Sequence, residues 1–392
     1  MRIAIVSEVF LPKIDGITNR LRHTVECLRE SGHEVRVIAP QGAVAEHAGA
    51  RVVRVPALPF PPYPGLRLSL PDPRIVWELA RFGPQVVHAV GPACLGLWAI
   101  ASARALRIPV VASYHTDLPG YASLYGFRWA QGLAWSALRR VHNVATLSLC
   151  PSRFTQRQLQ ERGFENVGIW RGGVDAHLFH PWRRSLRMRA RLTDGCPDRP
   201  VLLYAGRIAE EKNLGLFAGL LDALPDVHLA LVGDGPARAT LTRRFARHHV
   251  TFTGFLRERD LATAFASADV FVMPSTTETM GSAVLEAMSA GCPVVAADAG
   301  AIPNLVRHGE NGLLFDPATP AAAAAAVAEL LAHRGQRHFY AQQGRKTAEN
   351  ATWARETARL VESYRKAVYI GAPRGIVTRL QRAFFPGVVG QE

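Results

Sequence analysis

The chain has 392 residues, 48% of them apolar, and 46 basic against 32 acidic side chains give it a formal charge of +14. Single cores stop growing near ~250–300 residues, so the length implies two domains. Ordinary Gly, Pro and aromatic contents exclude collagenous, disordered and small disulfide-scaffold classes.

Ile3–Val6 reads as a short buried strand, followed by a loop to Gly16, a helix from Thr18 to Ser31 that stops at Gly32, and a strand at Glu34–Ala39. Such a βαβ unit implies parallel strands with right-handed crossovers. Further strands are expected at Val86–Ala89, Pro109–Ser113 and Ala145–Ser148, while Pro56, Pro59, Pro61, Pro62 and Pro64 mark a stiff surface loop. A second βα series has strands at Val201–Ala205, Val227–Val232, Val250–Thr253, Val270–Met273 and Pro293–Ala297. The expected organisation is an N-terminal Rossmann-like domain (1–180), a linker rich in Arg, Pro and Asp (181–199), and a second Rossmann-like domain (200–352). A helix over 353–370 would cross back to the first domain, ahead of a basic tail over 371–392. The fold class is α/β, with two doubly wound domains facing one another. Open sheets bind ligands outside the carboxyl ends of their strands, so a facing pair makes a ligand cleft.

Only four of the 46 basic residues are Lys, and Arg forks suit phosphate and carboxylate, which points to an anionic partner. The first 180 residues carry 20 basic and 12 acidic side chains. Tyr121, Tyr125, Phe127, Trp129 and Trp135 lie among Arg128, Arg139 and Arg140, which reads as an interfacial surface near anionic lipid or as a core helix with a charged end. In the tail, Ile376, Leu380 and Phe384 form a stripe with Arg379 and Arg382 off it, either a basic amphipathic membrane helix or a terminal helix docked on the body. No stretch reaches the ~20 apolar residues of a membrane span, and no signal-peptide pattern opens the chain. The expected location is therefore cytoplasmic or peripheral. Five scattered Cys without a C-x-x-C point to buried single thiols in a reducing compartment, with neither zinc nor a disulfide framework.

Four places carry candidate chemistry. Gly16 lets backbone approach a phosphate at a helix N-terminus, or belongs to a plain βα loop. Arg207 and Lys212 follow the first strand of the second series; such a pair can hold a diphosphate and offset the charge of its departure, unless both are solvated surface cations. Glu278 falls in a loop after a strand, and Glu286 lies eight residues on inside an apolar helix, where a half-buried carboxylate needs a partner such as a ribose. The amides of Met280, Gly281 and Ser282 would bind sugar hydroxyls or phosphate. His115 ends a buried strand and can donate a hydrogen bond into the cleft, with Asp117 to orient it, or it is structural. No Walker A, G-x-S-x-G, H-E-x-x-H or metal-ligand spacing is present.

In this order the Gly16 loop, His115, the G-R-x-x-x-E-K of Arg207 and Lys212, Val232-Gly-Asp-Gly235 and the pair Glu278 and Glu286 resemble glycosyltransferase family 4. The resemblance implies a GT-B fold and a retaining hexosyl transfer from a nucleotide-sugar, with no cofactor and no required metal. It places the Gly16 loop and Gly233 near the donor, Arg207 and Lys212 on the diphosphate, and Glu286 on the ribose. Glu278 with Met280, Gly281 and Ser282 would contact the donor sugar, and His115 would lie beside the reacting sugar. Phe10–Glu26, Ala112–Tyr121 and Gly173–Pro181 are similar to the sulfolipid-forming branch, which moves sulfoquinovose from UDP to diacylglycerol at the inner membrane face. The chain departs from that branch at Asp117, where a second His is usual, and at Met280, where Leu or Phe precedes the Gly. Mannosyl-, glucosyl- and glucuronosyltransferases acting on diacylglycerol or another acceptor share the scaffold, so the fold leaves the donor open. Of the readings in other classes, a nucleic-acid binder lacks any recognition motif. A non-catalytic sugar-nucleotide binder would not need Arg207, Lys212, Glu278 and Glu286 together.

Overall fold

The structure, a computed structural model, describes residues 1–13, 15–59, 67–69, 71–115, 129 and 131–371. The expectations placed on Asp117, Tyr121, Tyr125, Phe127, Arg128 and the tail stripe lie outside the described residues. The chain divides into two units, Met1–Arg171 with the segment from Trp353 onward, and Gly172–Thr352.

In the first unit the strands are β1 (Arg2–Ser7), β2 (Glu34–Pro40), β3 (Glu46–His47), β4 (Ala50–Val55), β5 (Ala57–Pro59), β6 (Arg67–Ser69), β7 (Val86–Val90), β8 (Val110–Ser113), β9 (Leu147–Cys150) and β10 (Val167–Ile169). Eight of them form one sheet in the order β10-β9-β8-β7-β1-β2-β4-β3, parallel except at the β3–β4 edge. β5 and β6 pair antiparallel, so part of the Pro-rich stretch is a small ribbon rather than only a loop. The unit's helices are α1 (Gly16–Glu30), α2 (Arg74–Phe82), α3 (Cys94–Ala105), α4 (Gln131–Val144), α5 (Arg153–Glu161) and, last in the chain, α13 (Trp353–Gly371).

Both faces of this sheet are covered, which is why its central strands read as unbroken apolar runs. Ile3 and Ile5 of β1 pack with Leu21, Val25 and Leu28 of α1 and Leu360 and Tyr364 of α13. Ala4 and Val6 face the other way, onto Ile75 and Leu79 of α2 and Leu95 and Ala99 of α3. α1 begins two residues before the expected Thr18 because Asp15 caps it, its Oδ1 accepting the Thr18 amide at 2.8 Å. β9 begins two residues later than expected because the Ala145 amide still closes a turn on His142 O.

The second unit holds β11 (Val201–Ala205), β12 (His228–Val232), β13 (Val250–Gly254), β14 (Val270–Met273), β15 (Val294–Ala297) and β16 (Leu313–Phe315), all parallel, in the order β13-β12-β11-β14-β15-β16. Its helices are α6 (Leu186–Leu192), α7 (Phe217–Ala223), α8 (Arg238–Arg244), α9 (Glu258–Ser267), α10 (Ser282–Ser289), α11 (Pro320–Ala332) and α12 (Arg334–Glu349).

Two expectations are corrected here. The first domain ends at Arg171 rather than at residue 180, and residues 181–199 are not a linker. They carry α6, whose Met188 and Leu192 enter the second unit's core. The buried Arg189 guanidinium ties the segment down, donating to Pro197 O, Ser267 O, Arg199 O and Asp269 Oδ2 at 2.8–2.9 Å. Of the five thiols, which are all free, only Cys150 and Cys292 are buried; Cys196 is exposed.

Candidate functional site

In the second sheet the strand order reverses between β11 and β14, and ligands of open parallel sheets bind at such a switch point. The loops leaving these two strands carry Arg207, Lys212 and Glu278. Lys212 Nζ donates to Glu278 Oε1 at 2.6 Å, with the side chains 19% and 16% exposed, so a half-buried ion pair bridges the switch point. Further bonds hold the two loops in register: Thr277 Oγ1 donates to Glu211 O at 3.3 Å, and Asn213 Nδ2 to Pro274 O at 3.5 Å. Arg207 lies 3.5 Å from Glu211, and its own carbonyl accepts the Tyr204 hydroxyl at 3.0 Å. Each cation of this loop thus has an acidic partner, Glu211 for Arg207 and Glu278 for Lys212.

The neighbouring β12 loop, Gly233-Asp234-Gly235, is shaped by close backbone approach. Gly233 has φ +127°, and a Cβ built there would fall 2.0 Å from Gly206 O; one on Gly235 would fall 2.3 Å from Ile208 O. Only glycine fits where these two loops touch. On the other side, the Ala301 amide donates to Glu278 O at 2.8 Å and Gly300 leaves room for that carbonyl, which fixes the Glu278 loop from β15's side.

Gly281 caps α10 in the left-handed region at φ +81°, so α10 opens at Ser282, with Ser282 exposed. Met280 Sδ accepts the Gly172 amide at 3.0 Å. Glu286 sits in the second turn of α10, half-buried, and no hydrogen bond or ion pair reaches its carboxylate among the described residues. Burial pushes its carboxyl up to about 8. A buried carboxyl group without a partner is a site that a hydroxyl would satisfy. Among the described residues, no group of three or more His, Cys, Asp or Glu is arranged to hold a metal ion.

Gly16 and His115 belong to the first unit. Gly16 is the first residue of α1, and a Cβ there would meet nothing within 4 Å, so the fold itself does not require glycine. His115 follows β8, and both of its ring nitrogens are engaged. Arg20 Nη1 lies 3.0 Å from Nδ1, and Ser113 Oγ lies 2.8 Å from Nε2. Of the two expectations for His115, donation outward and a structural role, these contacts inside the unit favour the second. Burial, with Arg20, His88 and His142 near it, holds the ring well below the usual imidazole range.

Arg20, His88 and Tyr364 were not singled out from the sequence. Arg20 looks like a solvent-facing residue of an amphipathic helix but is buried. His88 did leave a signal, a lone polar residue inside the run Val86–Val90, every position of which is buried.

Residues 14–178 match the family model described as Glycosyltransferase Family 4, and residues 199–333 match Glycosyl transferases group 1. The sulfoquinovosyl transferase SQD2 of Arabidopsis thaliana is 39% identical over 91% of this chain and 72% of its own length. A GDP-mannose-dependent alpha-mannosyltransferase of Mycolicibacterium smegmatis is also 39% identical, over 90% of this chain and 94% of its own. The alpha-monoglucosyldiacylglycerol synthase of Acholeplasma laidlawii is 27% identical over 81% and 85%. The solved sucrose-phosphate synthase of Thermosynechococcus elongatus superposes with a TM-score of 0.74 at 20% identity, covering 93% of this chain and 98% of that one, a likeness of fold.

Proposed function

This chain belongs to glycosyltransferase family 4, with the GT-B class of fold, and from that premise we propose that it moves sulfoquinovose from UDP-sulfoquinovose to diacylglycerol with retention of configuration. The observation that carries the placement of chemistry is the Lys212–Glu278 pair across the switch point, with Arg207 beside it. In this reading Arg207 and Lys212 take the donor diphosphate, Glu286 accepts from the ribose hydroxyls, and Glu278 with the Met280, Gly281 and Ser282 amides meets the donor sugar. Gly233 allows close approach of backbone. The roles of Gly16 beside the phosphates and of His115 beside the reacting sugar are part of the same proposal.

The acceptor hydroxyl attacks the anomeric carbon on the face that the diphosphate leaves. The new carbon–oxygen bond forms as the carbon–oxygen bond to phosphate breaks, and the hydroxyl proton passes to the departing phosphate oxygen. Two cations at the diphosphate offset the charge that develops there, so the reading assigns no step to a metal or cofactor.

The lipid acceptor implies work at a membrane. Among the described residues no helix is long and apolar enough to cross one. The reading is peripheral attachment at the cytoplasmic face, and the outer surface of α2 and α3 supports it. These two helices pack on the same face of the sheet and expose Trp77, Leu97 and Trp98. Arg81, Arg104 and Arg107 are exposed beside them with no ion-pair partner among the described residues. Indole rings among unpaired Arg suit an anionic lipid interface. Of the aromatic segment expected to do this, Trp129 is exposed, but Trp135 stacks on Tyr114 and under Arg162.

The second reading is mannosyl transfer from GDP-mannose, favoured by an identity to the mannosyltransferase equal to that for the sulfoquinovosyl relative. Mass spectrometry of products separates the two. The protein is given diacylglycerol vesicles with UDP-sulfoquinovose, UDP-glucose, UDP-glucuronate or GDP-mannose, each with and without a chelator. A sulfoquinovosyl lipid from the first donor alone, undiminished by chelation, is the expected result. A mannolipid instead replaces the donor assignment, and no lipid product from any donor overturns the lipid acceptor.

A further inference from the structure

Arg20 on α1 is 6% exposed, an uncommon place for a guanidinium. It cannot accept a hydrogen bond or give up its proton at ordinary pH, so every polar partner must accept from it. Its Nη1 lies 3.0 Å from His115 Nδ1, which makes that nitrogen the lone-pair side of the ring. A neutral ring then carries its hydrogen on Nε2, facing Ser113 Oγ at 2.8 Å. Ser113, accepting from His115, has its own hydrogen to give to His88 Nε2 at 2.9 Å. His88 Nδ1–H is then left to donate to the Tyr364 hydroxyl at 2.7 Å. One assignment of hydrogens runs without conflict from Arg20 on α1, through β8 and β7, to Tyr364 on α13. The indole of Trp170 backs the start of the chain, with the Arg20 guanidinium 5.0 Å over its ring and the His115 ring edge-on at 5.2 Å.

We propose that Arg20 is a positioning residue for His115, holding its ring as the neutral Nε2–H tautomer in a fixed orientation, with Ser113, His88 and Tyr364 anchoring the ring from the other side. The proposal rests on the reading that His115 lies beside the reacting sugar. Held this way, His115 exchanges no proton with the reactants; it is a fixed neutral surface, and the departing phosphate remains the proton acceptor. The charged and titratable groups around it are Arg20 from α1, His88 from β7 and His142 from α4, with Glu356 and Arg359 of α13 and Arg171 behind Arg20.

The test is nitrogen NMR of the full-length protein labelled at histidine, with the His115 signals identified by their loss in His115→Gln. In the wild type the ring should show the Nε2–H tautomer unchanged from about pH 5.5 to about pH 8, where an unperturbed imidazole would titrate. Arg20→Met removes the donor that fixes Nδ1 as the acceptor and should let the ring populate the Nδ1–H tautomer, while burial still keeps it neutral over that range. It should also lower kcat by about tenfold or more, with donor KM little changed. Arg20→Lys, which keeps a donor, should restore much of the tautomer. An Nδ1–H tautomer or a titrating ring in the wild type overturns the proposal without reliance on any variant. So does an unchanged His115 signal in a folded Arg20→Met protein. If the ring behaves as expected but His115→Ala turns over donor as fast as wild type, the positioning stands and the placement of His115 at the reacting sugar falls.

Discussion

Removing the Lys212–Glu278 pair tests whether the switch point is built for a departing diphosphate. At 2.6 Å and an effective dielectric near 20, the gross attraction is about 6 kcal/mol. Desolvation of both groups and the ordering of a long side chain offset most of that. With both partners under one-fifth exposed, the net coupling should be about 1–3 kcal/mol, above the ~0.2–1 kcal/mol of an exposed pair. Urea unfolding of Lys212→Met, Glu278→Gln and the double variant closes a double-mutant cycle that reads this coupling directly. In turnover, if Lys212 holds the leaving group as proposed, Lys212→Met should lower kcat by about 10²–10³-fold. The Met side chain keeps the length of the Lys stem, so packing is disturbed little. A coupling below about 0.3 kcal/mol together with near wild-type turnover would refute the reasoning, because the pair would then be an ordinary surface bridge.

Three further outcomes are expected. Gly233→Ala must displace the Gly206 carbonyl, which its Cβ would approach to 2.0 Å, and should destabilise by about 2 kcal/mol or more; Gly16→Ala, whose Cβ meets nothing, should leave Tm unchanged and lower donor turnover, so calorimetry and turnover together separate the two glycines. Glu286 holds its proton up to about pH 8 when folded but only to about 4.5 when unfolded, so over that interval the native state binds more protons and stability falls as pH rises, by at most about 1.4 kcal/mol per unit; Glu286→Gln should flatten the slope, and urea unfolding at the two ends of the interval checks it. Trp77→Ser with Trp98→Ser should reduce co-sedimentation with anionic phospholipid vesicles severalfold while leaving nucleotide binding intact, and undiminished sedimentation would move the membrane contact elsewhere.

The strands were legible where the physics is simplest. A parallel strand buried on both faces is an unbroken apolar run, and Val201–Ala205 and Val270–Met273 could be read to the residue. Edges were not. β3, β4 and β16 are short or carry charge, and β9 shifts because a helix turn runs two residues past the point where the apolar pattern begins. The segment 181–199 was misread because its composition hides a staple, Arg189, whose charge faces four interior acceptors. Arg345 acts in the same way on the carbonyls of Ala176, Phe179 and Ser289. Arg20 is a third case. Net charge counts these interior cations as though they faced a partner, so +14 overstates the surface available for one.

At the candidate site, residue type and spacing mark out Arg207, Lys212, Glu278 and Glu286 as candidates. Their partnerships were not readable, because Lys212 and Glu278 lie 66 positions apart and meet only through the adjacency of β11 and β14. The chain behind His115 was less visible still, since its members come from four elements and Tyr364 lies 276 positions from His88.

The most direct measurement is a crystal structure of the protein with the nucleoside diphosphate of its donor bound. The account requires the diphosphate within hydrogen-bond distance of Arg207 and Lys212, the Lys212–Glu278 contact lengthened or shared, and the ribose hydroxyls on Glu286. A nucleotide bound away from the ends of β11 and β14, with Lys212 still held by Glu278 and Glu286 unoccupied, would contradict it.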